Sequence, residues 1–213
     1  HTMTFTLPEF SLSVAKIYPF KRKIVAGKPK WYEKIHINYS LVGKNQLTSI
    51  DSLIFKEPIL DKLNNGVKHS FSVGFNTNIF KHINFSISGN YYERWYSKFA
   101  EAYYINDTTY NEDGTPIAPH LHIDENYGFK AARDFNVNSS FSTTLYGRVQ
   151  FKKGYLRAVR HVINPSVSFN YRPDFGTPFW GYYKDYVDAN GELKKYSIFN
   201  VGNFNSLYGS PTD

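Results

Sequence analysis

A chain of 213 residues without a single cysteine holds no disulfide, no thiolate metal site and no cysteine nucleophile, and its length suits one domain. With 25 Lys and Arg against 18 Asp and Glu its net charge is +7, a balance that suits anionic lipid or phosphorylated glycans. Nucleic acid is not an expected partner, because no Arg/Gly repeat, zinc-knuckle spacing or nucleic-acid fold signature accompanies that charge.

The first predicted strand covers residues 10–17. Phe10, Leu12 and Val14 share one side, and Ser11, Ser13 and Ala15 the other. Phe5 and Leu7 have the opposite parity, so Pro8-Glu9 marks a bulge or a strand start. A basic turn follows, Tyr18-Pro19-Phe20-Lys21-Arg22-Lys23, and continues to Lys30. The second strand spans 31–42, with Ile35, Ile37, Tyr39 and Leu41 against His36, Asn38 and Ser40. Residues 43–65 read as a long polar loop. The third strand, 67–79, sets Phe71, Val73, Phe75, Thr77 and Ile79 against Ser70, Ser72, Gly74, Asn76 and Asn78. Phe80-Lys81-His82 makes a short hairpin into the fourth strand, 83–95. A long loop is predicted over 96–133, with a turn at Asn111-Glu112-Asp113-Gly114. The fifth strand, 134–151, is long enough to project past a membrane and turns at Lys152-Lys153-Gly154. The sixth covers 159–172. The tail, 173–213, reads as a third long loop with a hairpin at Asp188-Ala189-Asn190-Gly191.

Five stretches within these strands, 35–42, 70–79, 83–92, 135–147 and 161–171, contain no Lys, Arg, Asp or Glu. A strand on a soluble sheet usually carries charge on its wet face. Here that face is Ser, Asn, Thr and Gly. The pattern predicts an all-β protein, an antiparallel transmembrane β-barrel with lipid on one side and a polar lumen on the other. No apolar run reaches the ~18 residues of a membrane helix. The mean hydropathy of −0.47 does not argue against strands that dilute each apolar residue with a polar one. Aromatic residues at 18 % suit interfacial girdles. Short and long connections alternate, which puts 18–30, 80–82 and 152–157 in the periplasm and 43–65, 96–133 and 173–213 outside. Bacterial barrels start at about eight strands. Six predicted strands, with one or two more from the tail, read as part of a larger barrel, and the chain, which starts without a signal peptide and ends in Pro211-Thr212-Asp213, as a mature or internal piece. The competing soluble reading is a glycan-binding β-sandwich with Phe71, Phe75, Phe85 and Phe141 in one dry core.

His120, His122 and Asp124 alternate and would share a strand face, a pattern open to a divalent metal, though a solvated ribbon is the plainer reading. Asp107, Glu112 and Asp113 lack the helix-flanked calcium loop. No Gly-x-Ser-x-Gly or phosphate loop is present, so no catalytic residue, cofactor or metal is expected and the protein is not expected to be an enzyme. Lys16, Lys21, Arg22, Lys23, Lys28 and Lys30 crowd the first turn, either as a phosphate cradle or as a solvated turn. Arg94, Arg148, Arg160 and Arg172 lie near strand ends with lumenal parity. The candidate polyanion contacts are therefore Lys21, Arg22, Lys23, Arg148, Arg160 and Arg172. Pro8 and Pro165 remove ladder donors and are the candidate strand-weakening positions.

Two segments, Leu7-Pro8-Glu9-Phe10-Ser11 leading to Ile17-Tyr18-Pro19-Phe20-Lys21-Arg22-Lys23, and Arg160-His161-Val162-Ile163-Asn164-Pro165-Ser166 running on to Phe175, flank Trp31-Tyr32-Glu33-Lys34-Ile35 and Thr143-Thr144-Leu145-Tyr146-Gly147. Together they resemble the barrel region of the LptD family, in its Bacteroidota-type branch. The resemblance implies a cell outer membrane location and lipopolysaccharide transport. A periplasmic jellyroll and other periplasmic bridge components would deliver the glycolipid. The barrel, plugged by an LptE-like lipoprotein, would pass the sugar chain, and lipid A would leave through a seam between first and last strands into outer-membrane lipid. Another large barrel, a nutrient receptor or porin, is the alternative within the membrane.

Overall fold

The computed structural model describes residues 2–24, 27–50, 63–111, 113–152, 155 and 157–212. The chain is all-β and antiparallel, with no α-helix among those residues. Its strands are β1 (Thr2–Ile17), β2 (His36–Ile50), β3 (Leu63–Ile79), β4 (Ile83–Ile105), β5 (Thr109–Tyr110), β6 (Pro116–Ile117), β7 (His120–Thr143), β8 (Leu145–Gln150), β9 (Ala158–Ile163), β10 (Ser166–Tyr171), β11 (Tyr183–Val187), β12 (Leu193–Ser197), β13 (Asn200–Val201) and β14 (Phe204–Asn205). The main sheet has the order β1-β2-β3-β4-β7-β10. It is open, with β1 and β10 as its edges among the described residues.

The alternating residues set the register. Ser72 opposes Asn38 on one side and Asn90 on the other, and Phe71 opposes Tyr39 and Tyr91. These rows keep one chemistry across neighbouring strands, because side chains of one parity share a face. No second sheet covers the apolar face among the described residues. Phe71 and Phe141 are each 38 % exposed there and Phe169 63 %. The dry sandwich core predicted by the soluble alternative is not formed.

Several extents differ from the sequence reading. β1 starts at Thr2 rather than Phe10. It absorbs Pro8 in a bulge between Thr6 and Glu9, two residues against Asn45. Trp31–Lys34 is a 3-10 turn, and β2 begins only at His36. Gly43 does not end β2; the ring of Phe10 takes the space a side chain there would need. β2 instead runs to Ile50. Residues 51–62 of the predicted 43–65 loop lie outside the described residues, as do Glu112, the Lys153-Gly154 turn and Asp213.

The predicted loop at 96–133 is mostly strand. β4 and β7 run on together to Ile105 and His120 as a hairpin beyond the rest of the sheet. A register shift between Tyr96 and Lys98 breaks the parity on which the sequence reading relied. The predicted strands 134–151 and 159–172 each divide. Thr144 separates β7 from β8 and Asn164-Pro165 separates β9 from β10, so β8 and β9 form their own two-stranded ladder. Pro165 cannot donate to a ladder; its carbonyl accepts from the Thr143 amide at 3.1 Å.

The predicted tail loop is a packed unit. β11 to β14 form a small sheet, with the anticipated turn closed by Asp188, whose amide donates to the Glu192 carbonyl at 2.9 Å. Phe175 and Phe199 are almost wholly buried, and with Tyr182, Tyr196, Ile198, Val201 and Phe204 they pack on Tyr96, Ala100, Ala102 and Ala132. The tail also satisfies strand edges left unpaired at the base of the long hairpin. The Ala100 amide donates to the Ile198 carbonyl at 2.8 Å, the Ala102 amide to the Tyr196 hydroxyl at 3.0 Å and the Arg133 amide to the Tyr182 hydroxyl at 2.9 Å. Covered edges cannot recruit another chain.

Candidate functional site: a polar sheet face with a basic turn

Five strands, β2, β3, β4, β7 and β10, build the centre of the polar face. Asn38, Ser72, Asn90 and Asn136 form one cross-strand row. Gly74, Ser88, Asn138 and Asn170 lie in the next, and Asn76, Ser86, Ser140 and Ser168 in the one after. Neighbours bond across the rows. Asn38 Nδ2 donates to Ser72 Oγ at 3.1 Å, Asn90 Nδ2 to Asn136 Oδ1 at 2.8 Å, and the Ser86 and Ser140 hydroxyls meet at 2.6 Å. The face thus presents uncharged donors and acceptors that exchange readily with hydroxyl-rich ligands.

On the opposite face the first formal charges, Glu93 and Arg133, stand at one level. His69, Glu93 and Arg133 share a row next to Leu41. Glu93 accepts from Tyr91 Oη at 2.8 Å, Trp95 Nε1 at 2.9 Å and Arg133 Nε at 3.0 Å. His69 Nδ1 meets Tyr39 Oη at 2.9 Å, and its ring lies 4.2 Å from that of Trp95. From this row down to the Phe80-Lys81-His82 turn, β3 and β4 carry no charge on that face.

At the turn end, the 3-10 turn and β1–β2 connection are tied by one carboxylate. Glu33, 5 % exposed, accepts from Arg22 Nε, from Arg22 Nη2 at 3.1 Å and from the Lys30 amide at 2.7 Å. The Arg22 hydrogen bond, helped by the Lys30 amide against the cost of burial, holds the Glu33 carboxyl below its ordinary range. A carboxylate with a lowered native pKa stabilises the fold fully above its unfolded value, and that contribution is lost as pH falls through the native value. Amide-exchange protection across the turn is therefore expected to hold at pH 7 and to collapse only below the ordinary carboxylate range of about pH 4. In Glu33→Gln the protection is expected to be low at both pH values; hydrogen exchange followed by mass spectrometry reads both.

Next to this clamp is a cavity of about 390 Å³, lined in part by Tyr18, Lys21, Lys34, His36 and Asn76. Of the candidate polyanion contacts, Lys21 lines it, Arg22 is neutralised by Glu33, and Lys23 is exposed on the turn. Arg148 and Arg160 oppose each other on the β8–β9 ladder, a like-charged pair that disfavours pairing, with Arg160 set over the Tyr146 ring at 4.8 Å. Arg172 sits at the other end of the sheet, 3.9 Å from Asp134. The structure does not gather the six into one site. Lys34 and His36, which sequence reasoning did not select, join Lys21; their only signal was lumenal parity beside the basic turn.

His122 Nε2 and Asp124 Oδ1 meet at 2.9 Å, and the His120 and His122 rings are 6.2 Å apart. No group of three or more metal-ligating side chains gathers among the described residues. Pro8 sits in the β1 bulge and lines a mainly apolar groove with Phe10, Trp95 and Phe129.

No curated protein and no solved structure matches the chain. A family model described as "LptD protein" matches residues 1–213, the polar face, the basic turn and the packed tail included. The chain therefore belongs to the LptD family of the outer membrane, a non-enzymatic family with a general role in lipopolysaccharide transport and assembly.

Proposed function

We propose that the main sheet is a sector of a β-barrel wall whose polar face lines the conduit for the sugar chain of lipopolysaccharide, while its apolar face meets outer-membrane lipid. The observation that carries this reading is the contrast between the Ser/Asn rows and the charge-free face opposite them. From Ile83 to Glu93 is ten residue steps, about 33 Å along the strand. Tilted by about 45°, that length spans ~25 Å, the height of an outer-membrane apolar band. The row Leu41–His69–Glu93–Arg133 then marks the outer rim, with Trp95 and Tyr91 as its girdle, and the tight 80–82 turn faces the periplasm.

Export needs no bond made or broken here. Sugar hydroxyls exchange water for the Ser and Asn side chains, and basic groups at the periplasmic end draw in phosphates. The lipid moiety leaves sideways at a sheet edge. The Pro8 bulge interrupts the β1–β2 ladder beside such an edge, which supports a weakened seam there. An LptE-like lipoprotein plugs the complete barrel, and periplasmic bridge components feed it.

The test narrows the path. In the full-length parent, Ser88→Trp with Ser140→Trp is expected to cut several-fold the newly made lipopolysaccharide that a surface-restricted glycan label detects. Ser88→Ala with Ser140→Ala is expected to leave it unchanged, with equal amounts of assembled protein in all strains. Unchanged delivery in the tryptophan variant overturns the conduit reading, and so does recovery of the parent as a stable aqueous monomer.

A further inference from the structure

We propose that the turn-end cavity is a binding site for a phosphorylated sugar headgroup, with Lys21 and Lys34 as the phosphate ligands and Arg22 as a positioning residue. The site rests on the conduit reading, because the cavity opens on the polar face at the periplasmic end, next to the row that begins with Asn76.

Two cations line it, and the one carboxylate in its wall does not cancel them. Glu33 is engaged by Arg22 and by the Lys30 amide. Lys34 lines the cavity, and its Nζ makes one hydrogen bond, to Thr77 Oγ1 at 2.8 Å, which leaves two of its protons for an anion. Among the described residues neither Lys21 nor Lys34 makes an ion pair. The remaining wall suits a sugar rather than a bare ion. The Tyr18 and His36 rings lie 5.9 Å apart and tilted, and the Asn76 amide offers a donor and an acceptor. His36 keeps its place because residue 74 is glycine; a Cβ there would come within 2.5 Å of Nε2. At about 390 Å³ the cavity falls at the small end of ligand sites, roomy for a phosphosugar and far larger than one phosphate needs.

The Arg22–Glu33 clamp sets the turn that carries Lys21 toward the strand that carries His36. Sequence proximity groups Arg22 with the ligands. Its role in the structure is to hold the wall in place.

The experiment is calorimetric titration of the detergent-solubilised parent protein with glucosamine 6-phosphate, glucosamine and inorganic phosphate. The sugar phosphate is expected to bind, inorganic phosphate to bind more weakly and glucosamine not at all. Lys21→Ala and Lys34→Ala are each expected to weaken the sugar phosphate about ten-fold, the scale of one charge-assisted hydrogen bond. Lys21→Met and Lys34→Met keep the stems and are expected to lose as much, which separates lost charge from lost folding. Lys152→Ala, an equal charge change at another turn, is expected to stay within about two-fold. Inorganic phosphate binding as tightly as the sugar phosphate makes this a free-anion site and overturns the assignment. Equal loss in Lys152→Ala, or no heat with any probe, overturns it as well. If no probe binds while the double tryptophan variant still blocks surface delivery, the site falls and the conduit stands.

Discussion

Phe75→Arg is expected to prevent stable membrane insertion of the parent protein, whereas Ser88→Arg, one row away on the other face, is expected to be tolerated. Phe75 lies near the middle of the charge-free band, in the row with Ile87, Ser139 and Phe169, and its ring packs edge-on against Trp31 and Phe85, each at 6.3 Å. An arginine at the lipid-facing midplane costs about 2–4 kcal/mol in such barrels, falling towards zero near the interfaces. Ser88 shares its row with Gly74 and Asn138 on the polar face, where a guanidinium remains solvated. The measurement is the amount of heat-modifiable, protease-resistant protein in the outer-membrane fraction. Phe75→Arg is expected to abolish that species and Ser88→Arg to keep it. Equal behaviour of the two would mean that both faces meet the same medium, and the assignment of lipid to the phenylalanine side would fail. A chain that unfolds in water with Phe75→Arg, from a soluble wild type, would instead point to a dry protein core.

The strands were legible where a single constraint acts on every residue. On the proposed reading, lipid forbids charge on one face and an uncharged conduit needs none on the other, so 70–79 and 83–92 announce both their period and their surroundings. The same rule hid the continuation of β4. Beyond the rim a strand carries Glu93, Arg94, Lys98 and Glu101 freely, and the register shift after Tyr96 scrambles the alternation. Trp31–Lys34 has strand-like composition but is bent by contacts of Glu33 with Arg22, eleven residues earlier, which no local pattern encodes. The tail has short strands without a repeated period, and its burial depends on partners about a hundred residues away, such as Ala100 with Ile198. For the candidate site, charge alone picked the turn; the subset of cations lining one cavity follows from the clamp, which appears only in three dimensions.

Asp134→Ala is expected to release the tail from the sheet without unfolding the sheet. Asp134 is 6 % exposed and receives Arg94, itself 9 % exposed, with Arg172 Nη2 at 3.9 Å on its other oxygen. It is one carboxylate between two guanidiniums, and the Arg94 Nε already lacks a partner among the described residues. Burying an ion pair is close to neutral against a well-packed apolar pair, but removing one member leaves the other charge buried and uncompensated, at about 3–5 kcal/mol. The cheapest relief is to admit water, and the tail is what keeps it out: Phe175 packs beside Phe135, and Tyr96 Oη donates to the Gly209 carbonyl at 2.7 Å. The rows below, from Ser72 to Ser140, share none of these contacts and keep their own ladders. Limited proteolysis and amide exchange over residues 173–211 are therefore expected to rise sharply in Asp134→Ala while β3 and β4 below Glu93 stay protected. Arg94→Met combined with Asp134→Leu, which removes both charges, is expected to restore most of the protection. If the double variant is as exposed as the single one, the tail is held by the pair's attraction rather than by the apolar packing around it. If Asp134→Ala leaves the tail protected, the buried pair plays no part in docking it.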